Sequence, residues 1–233
     1  MPLGSARVGV LGSGVAIPDD LIGRYLTSEL SLLDDDAVTQ WPDESPESND
    51  LTTADAPTYQ TTAFDNGQPG VLFNGTSNYL VATTSAYDSP RTVIAAVKHN
   101  DSNDVFSVVF DGGTSNEHRS FVISDLGTPR VRLVSGSVDI SDATDARDSE
   151  SVFVFEVDGS NSRIRRNGAT LVTGGDANDS SLTGFTVGVR GGADANFLDG
   201  YIGDLEIYDR LLTTNELFGR ESFLSNKFGI PLA

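Results

Sequence analysis

The sequence predicts an all-β fold, an antiparallel two-sheet jelly-roll sandwich with a short N-terminal arm and helix and a C-terminal helix. From Val71 onward, short runs of β-branched and aromatic residues are separated by Gly, Asn, Asp and Ser. Residues 152–157 alternate strictly, which directs neighbouring side chains to opposite faces of a sheet. The centres of the runs lie about 10 residues apart, which is typical of sandwiches rather than of alternating strands and helices.

The N-terminal segment begins with an apolar run followed by Gly12-Ser13-Gly14, a pattern also found at the start of dinucleotide-binding folds. A phosphate site there needs a helix that starts at the second glycine. Pro18 keeps Ile17 out of helical geometry, and no parallel-sheet pattern follows. We therefore interpret the segment as an extended arm in which the glycines permit a turn.

Residues 18–33 are predicted to form a short helix, because apolar residues recur at helical spacing after Asp19 and Asp20. The apolar positions are Leu21, Ile22, Tyr25, Leu26, Leu30 and Leu33. This divides the chain into a docking segment, residues 1–31, and one sandwich domain, residues 32–233.

The later part of the chain carries turn and helix signals. Four dipeptides predict turns between strands, namely Asp111-Gly112, Asp158-Gly159, Asn167-Gly168 and Asp199-Gly200. Residues 213–228 are predicted to form the C-terminal helix, with Thr214 as a candidate cap. Its apolar stripe comprises Leu217, Phe218, Phe223 and Leu224.

The composition is strongly acidic, with a net charge of -19 at pH 7 and only two lysines, Lys98 and Lys227. Such a surface repels nucleic acids and anionic membranes, so neither is expected as a partner. No apolar run approaches the about 18 residues of a membrane span, and no secretory signal is expected at the start. A folded protein of a high-salt cytoplasm fits this charge, because concentrated salt screens the self-repulsion.

Several motifs resemble the laminin-G-like, concanavalin A-like jelly-roll superfamily. Trp41-Pro-Asp43-Glu-Ser45 and Asn49-Asp50 match its W-x-D-x-S motif, although Ser45-Pro46-Glu47-Ser48 replaces a glycine-rich loop. Residues 66–80, NGQPGVLFNGTSNYL, match NG-x-P-x-V-x-F-[DN]-G-x-x-D-Y-L. Residues 157–168 and 182–192 agree with the second half, and residues 197–230 resemble the closing strand and C-terminal helix. The motifs occur in family order over residues 32–230.

The resemblance implies glycan contacts at Trp41, Asp43, Asn49 and Tyr79. No cofactor is expected, and a structural calcium ion is the open alternative, because related jelly rolls often carry one at a rim loop. Oxygen donors cluster at residues 34–36, at Asp43 with Asn49 and Asp50, and at residues 101–104, but none matches a calcium-loop motif. Sequons at Asn74, Asn100 and Asn178 are candidate glycosylation sites.

Two sets of residues are candidates for catalysis. Asp204, Glu206 and Asp209 have the spacing of the laminarinase E-x-D-x-x-E strand with the identities exchanged. The alternation places Asp204 and Glu206 on one face, expected to be solvated or to form an open concave surface. The run corresponds to the closing strand, however, and we expect no catalytic residues. His99 and His118 are expected on the surface, without metal-ligand spacing.

The function expected from the sequence is that of a non-catalytic virion structural protein, a capsid turret, decoration or tail-fibre component of a haloarchaeal virus. It would be exposed on the virion surface after assembly in a high-salt cytoplasm. Its expected partners are copies of itself and neighbouring virion proteins through residues 1–31, and host surface glycans. A glycoside hydrolase or carbohydrate-binding module is one alternative, and a haloarchaeal cell-surface adhesin is another.

Overall fold

The computed structural model describes residues 17–53, 55–100, 106–114, 117–123, 129–176, 180–193 and 195–233. In these ranges the chain forms sixteen strands and one α-helix. The strands are β1 Leu21–Tyr25, β2 Gln40–Trp41, β3 Leu51–Thr52, β4 Thr58–Gln60, β5 Gly70–Asn74, β6 Leu80–Ala82, β7 Arg91–His99, β8 Ser107–Gly112, β9 Arg119–Ile123, β10 Val131–Ser135, β11 Val138–Asp142, β12 Ser149–Val157, β13 Arg163–Arg166, β14 Ala169–Thr173, β15 Phe185–Val187 and β16 Asp199–Tyr208, and the helix is α1, Thr214–Phe228.

The strands of the described ranges form two antiparallel sheets of eight strands each. Sheet A has the order β14-β13-β12-β7-β16-β5-β4, and β1 pairs with β16 beside that path. Sheet B has the order β11-β10-β9-β8-β15-β6-β3-β2. The predicted all-β two-sheet sandwich is confirmed.

Two apolar layers hold the fold together. The inner layer lies between the sheets and contains most of the large aromatic residues, including Trp41, Phe73, Phe110 and Phe155. The second layer lies between sheet A and α1, where Ile94 and Val154 pack against residues of the helix. The central strands β7, β12 and β16 are therefore covered on both faces, which explains their nearly continuous burial.

The predicted C-terminal helix is confirmed, although Thr213 rather than Thr214 is its N-cap. Thr213 and Glu216 form a reciprocal capping box, and Gly229 ends the helix in the left-handed conformation, with φ 70°. Hydrogen bonds from Arg210 and Thr213 lower the pKa of Glu216 to about 2. Leu217 and Leu224 are buried as predicted, but Phe218 is 64% exposed.

The predicted helix over residues 18–33 is wrong. The segment forms β1, antiparallel to the end of β16, and then a single 3-10 turn at Thr27–Glu29. A register shift between Leu21 and Gly23, together with burial on both faces, gives the strand an apolar spacing that imitates a helix. Residues 17–31 thus belong to the sandwich, whereas residues 1–16, with the glycine motif, lie outside the described residues.

The predicted turns have mixed outcomes. Asn167-Gly168 joins β13 and β14 with positive φ at both residues, as a two-residue hairpin requires. Asp158-Gly159 lies in the connection from β12 to β13. Asp111-Gly112 instead ends β8, and Asp199-Gly200 begins β16. In the part of the chain that is described, no helix is long and apolar enough to cross a membrane.

Candidate functional site

Trp41 lies inside the core. Its side chain is fully buried, its indole nitrogen donates to the Leu26 carbonyl at 3.1 Å, and its ring lies 6.0 Å from that of Tyr25. A sugar stacks on an aromatic face that is open to solvent, and the indole has no such face here. The W-x-D motif therefore supplies core packing at this position.

Asp43 and Asn49 fix the loop that carries the second part of the same motif. Asp43 accepts hydrogen bonds from the backbone amides of Arg24, Ser45 and Asn49 and from the Ser45 hydroxyl, at 2.6–2.8 Å. Asn49 donates its side-chain amide to the Ile22 carbonyl at 2.8 Å. Both side chains thus tie the loop to β1, and four donors occupy the Asp43 carboxylate.

Tyr79 has a different setting, on the outer face of sheet B. It precedes β6, in which Leu80 and Ala82 point into the core. Alternation then places Tyr79, Val81 and Thr83 together on the outer face. Tyr79 is half-buried, and it is the member of the four predicted contacts that lies on this outer face.

The carboxylates of β16 lie under the C-terminal helix, so the expectation of a solvated or open face is wrong. Glu206 is fully buried and forms an ion pair with Arg220, with the Arg24 Nε at 3.5 Å and the Tyr208 hydroxyl at 2.8 Å. Asp204 is fully buried and bonds to Lys227 at 2.6 Å and to the Thr27 amide at 3.0 Å. These contacts connect β16 to α1 through Arg220 and Lys227, and to the segment around β1 through Arg24 and Thr27.

The two buried carboxyl groups have opposite pKa shifts. Burial raises the pKa of Asp204 more than Lys227 lowers it. For Glu206, burial also raises the pKa, but Arg220 and Arg24 outweigh it and the pKa is lowered. Their acid–base properties are thus set by ion pairs of the fold, and neither carboxylate has an exposed surface at which a glycosidic bond could lie.

The two histidines are buried, so the expectation of surface positions is wrong. His99 lies at the end of β7 with its Nε2 2.9 Å from the Ser107 hydroxyl. His118 lies between the sheets, with Nδ1 3.2 Å from the Arg91 Nε and Nε2 3.1 Å from the Ser120 hydroxyl. Burial and the neighbouring Arg91 charge hold the pKa of His118 well below its usual value.

The proposed calcium donors have partners within the chain. Asp34 accepts from the Thr61 amide and hydroxyl, Asp36 from the Leu33 amide, and Asp50 from the Gln40 side chain. In the described ranges, no group of three His, Asp or Glu side chains is arranged to hold a metal ion. Residues 101–104, the third cluster, lie outside the described residues, as does the sequon at Asn178.

A cleft of about 230 Å³ opens on sheet B, where β6, β8 and β15 meet. It is lined by Val81, Ala82, Thr83, Gly113, Thr114, Thr183, Gly184, Phe185 and Thr186. Thr83, Thr114 and Thr183 are exposed, and the lining contains no charged side chain. Gly113 and Gly184 pack backbone against backbone on its floor, where a Cβ on either would lie within about 3 Å of main-chain atoms.

Glu117 lies behind the cleft and binds two of its threonines. Its Oε1 accepts from the Thr114 hydroxyl at 2.7 Å and from the Thr183 hydroxyl, while Oε2 accepts from the Thr183 amide at 2.9 Å. Gly112 leaves the required space, because a Cβ there would lie 2.2 Å from Oε2. Burial raises the pKa of Glu117, but these hydrogen bonds outweigh it, so the pKa is lowered and the group is ionised at neutral pH.

The ionised Glu117 determines what the cleft offers to a ligand. A hydroxyl that donates its proton to a carboxylate keeps its oxygen lone pairs as acceptors. Donation to a charged partner also polarises the hydroxyl. Thr114 and Thr183 are thus set to accept hydrogen bonds from ligand hydroxyl or amide groups. Neither the sequence motifs nor the resemblance predicted this cleft. Thr183 and Gly184 lie in residues 182–192, which resemble the second half of the superfamily pattern, but that likeness assigned them no ligand contact.

A second buried carboxylate stabilises the wall beside the cleft. Asp111 accepts from the Arg119 side chain at 2.8 Å and from the backbone amides of Gly112, His118 and Gly191. Burial raises its pKa in spite of these donors. Gly191 packs directly on Thr114, where a Cβ would lie 2.4 Å from the Thr114 carbonyl group. Asp111 therefore holds the loop after β15 against the cleft.

Comparison with known proteins identifies the fold but no family. No protein-family model matches the chain, and no curated protein matches it in sequence. The Trypanosoma rangeli sialidase in complex with sialic acid aligns over 94% of this chain and 35% of its own, with a TM-score of 0.62 and 17% identity. This chain thus spans about a third of the length of the sialidases that it matches.

Two further structures align over most of this chain. Domain 4 of AbnA, a GH43 extracellular arabinanase from Geobacillus stearothermophilus, in complex with arabinotriose, has a TM-score of 0.57 at 16% identity and covers 90% of this chain and 98% of its own. The binding domain of Paraclostridial Mosquitocidal Protein 1 has a TM-score of 0.60 at 13% identity and covers 89% and 52%. At these identities the likeness shows a shared two-sheet sandwich fold.

Proposed function

We propose that the protein is a non-catalytic glycan-binding module and that the cleft on sheet B holds a neutral sugar. The observation that carries the proposal is the pair Thr114 and Thr183, both donating to the ionised Glu117 and therefore presenting acceptors to the cleft. Sugar hydroxyls are the matching donors. Tyr79 lies on the same outer face as Val81 and Thr83 of the lining, toward the Val187 end of β15 and away from Thr183.

The charge of the chain favours a neutral ligand. The net charge is -19, and the cleft lining has no basic side chain to compensate a ligand carboxylate. A negatively charged sugar would therefore be repelled, whereas an uncharged pentose or hexose would not. The arabinotriose in the complex of the arabinanase domain is such an uncharged oligosaccharide, which supports the proposal by analogy of fold.

The proposal that the module is non-catalytic rests on the saturation of its carboxylates. Glycoside hydrolysis needs a pair of carboxyl groups beside the scissile bond. Glu117 and Asp111, which lie near the cleft, accept three and four hydrogen bonds from the chain, and Asp204 and Glu206 are buried under α1. None is placed as a free acid or nucleophile.

Binding is tested by titrating the protein with neutral and sialylated oligosaccharides, measured by calorimetry in molar salt. We expect binding of neutral arabino- or gluco-oligosaccharides and none of sialylated ones. Thr183→Val keeps the shape and removes the acceptor, so affinity should fall about tenfold. The control Thr173→Val changes an exposed threonine of β14 on the other sheet and should leave affinity unchanged. Equal affinities of both variants and the wild type would refute the cleft as the binding site.

Catalysis is tested in parallel on a panel of β-glucans and arabinans. We expect no released sugar. Release that is lost in Glu117→Gln or Glu206→Gln would overturn the non-catalytic proposal and favour the hydrolase alternative.

The role as a structural component on the virion surface stays a prediction of the sequence. Residues 17–31 are part of the sandwich, so docking through the N-terminal segment would fall to residues 1–16. Mass measurement in molar salt tests it on the full chain and on a chain without residues 1–16. Self-assembly that depends on these residues is expected, and a monomer in both cases would count against docking between copies of the chain.

A further inference from the structure

We propose that Arg91, which no motif singled out, is the positioning residue that sets the two walls of the threonine cleft relative to each other. The effect of Arg91 on glycan affinity rests on the proposed binding function, whereas its contacts with the cleft segments do not. Arg91 is the first residue of β7, on sheet A, and its side chain is fully buried between the sheets. The cleft opens on the opposite sheet.

The guanidinium group of Arg91 reaches three segments of or near sheet B. Its Nη2, which carries two hydrogens, lies within hydrogen-bond distance of three acceptors: the Glu117 carbonyl at 2.7 Å, the Ser135 hydroxyl at 2.8 Å and the Ser180 carbonyl. Its Nε donates to the His118 Nδ1 at 3.2 Å. One rigid, planar cation therefore binds the turn before β9, the end of β10 and the segment that leads to β15.

Two of these segments continue directly into the cleft. Glu117, held by its carbonyl, uses its carboxylate to bind Thr114 and Thr183. Ser180, also held by its carbonyl, lies three residues before Thr183. Ser135 links the two, because its hydroxyl donates to the Glu117 carbonyl and accepts from the Ser180 amide at 3.3 Å. Arg91 thus bridges both walls from within the core.

The protonation of His118 follows from the same contact. Because the Arg91 Nε can only donate, the His118 Nδ1 must accept, which places the proton of the neutral ring on Nε2. That proton is then directed to the Ser120 hydroxyl at 3.1 Å. This tautomer is a signature of the Arg91 contact that can be observed in the wild-type protein without a ligand.

The experiment compares Arg91→Met with the control Arg132→Met, which removes an arginine of β10 that pairs with Asp139 on sheet B. Hydrogen exchange is followed at the Thr183 amide, which donates to Glu117, and at the Val154 amide of β12 as an internal reference. In Arg91→Met, Thr183 should exchange at least about tenfold faster relative to Val154. Affinity for the neutral oligosaccharide should fall by a similar factor.

The outcomes separate this proposal from the binding function. A change that accelerates exchange at both amides by the same factor leaves the ratio of the Thr183 and Val154 exchange rates unchanged. An unchanged ratio would overturn the positioning role. If the wild type binds no glycan, the binding function fails while the exchange ratio still tests Arg91. Arg91→Lys, whose donors all lie on one nitrogen, should give an intermediate ratio. Should neither variant fold, nitrogen chemical shifts of His118 in the wild type decide, and a proton on Nδ1 would overturn the proposal.

Discussion

Replacing Arg220 with methionine should uncouple the C-terminal helix from sheet A. Arg220 is buried and binds both oxygens of Glu206, with Nε at 2.9 Å from Oε2. Methionine keeps the apolar stem but leaves the buried carboxylate with the Tyr208 hydroxyl and the more distant Arg24. The variant therefore tests whether this ion pair stabilises the docking of α1.

The expected loss of stability follows from the cost of an uncompensated buried charge. Removing one partner of a buried ion pair costs about 3–5 kcal/mol. Because Tyr208 and Arg24 still contact Glu206, we expect the lower end, about 3 kcal/mol. For a domain of this size that lowers Tm by about 6–12 °C. Adding Glu206→Gln to Arg220→Met removes the buried charge and should restore part of this loss.

The difference between wild type and variant should depend on pH. The pKa of Glu206 is lowered in the folded protein, so its ionised form contributes stability above its unfolded pKa, about 4.3, and this is lost as the pH falls through the folded value. The pKa of Asp204 is raised in the folded protein. The stability that its protonated form contributes is therefore present at low pH and is lost as the pH rises through this folded pKa. The cost of Arg220→Met should therefore shrink as the pH falls through the folded pKa of Glu206.

The assay is urea unfolding of the wild type, both single variants and the double variant, at one salt concentration and at pH 7 and pH 3.5. If Arg220→Met lowers the free energy of unfolding by less than about 1 kcal/mol at pH 7, the buried ion pair contributes no more than an exposed one, and the reasoning is refuted. A double variant less stable than either single variant, or a cost that grows at low pH, would also refute the reasoning.

Three further predictions concern packing, the core and the charge. Gly203→Ala places a Cβ 2.5 Å from the Phe228 ring and should cost about 1–3 kcal/mol in urea unfolding; a neutral result would contradict this packing. Trp41, the only tryptophan, should emit at short wavelength and not respond to glycan; a ligand-dependent emission shift would contradict its burial. Since the net charge is -19, Tm should rise between about 0.1 and 1 M NaCl; a flat or falling Tm would contradict a protein adapted to high salt.

The sequence predicted the elements whose signals are local. The C-terminal helix carries its own capping box and terminal glycine, and the Asn167-Gly168 hairpin needs only the left-handed conformation of two residues. The N-terminal strand β1 could not be predicted, because its partner is β16, about 180 residues away, and the register shift hides the period of two.

The candidate site was less accessible to sequence reasoning than the fold. Alternation along β16 correctly predicted that Asp204 and Glu206 lie on one face. It could not predict what covers that face, because the cover is α1, which docks there through Arg220 and Lys227. Arg91 lacked any signal, because a basic residue at the start of a strand is ordinarily solvated. The sequence feature that marks the cleft is the dipeptide Gly113-Thr114 opposite the dipeptide Thr183-Gly184. This feature can be recognised only once β8 and β15 are known to be neighbours.

The acidity of the chain and a neutral cleft are compatible because the carboxylates near the cleft direct their charge inward. The Glu117 carboxylate accepts hydrogen bonds from Thr114 and Thr183. The Asp111 carboxylate accepts hydrogen bonds from the Arg119 side chain and from three backbone amides. A bound sugar would meet hydroxyl oxygens and backbone rather than a carboxylate. Salt would therefore act on stability through the exposed acids, whereas the affinity for an uncharged ligand would change little with ionic strength.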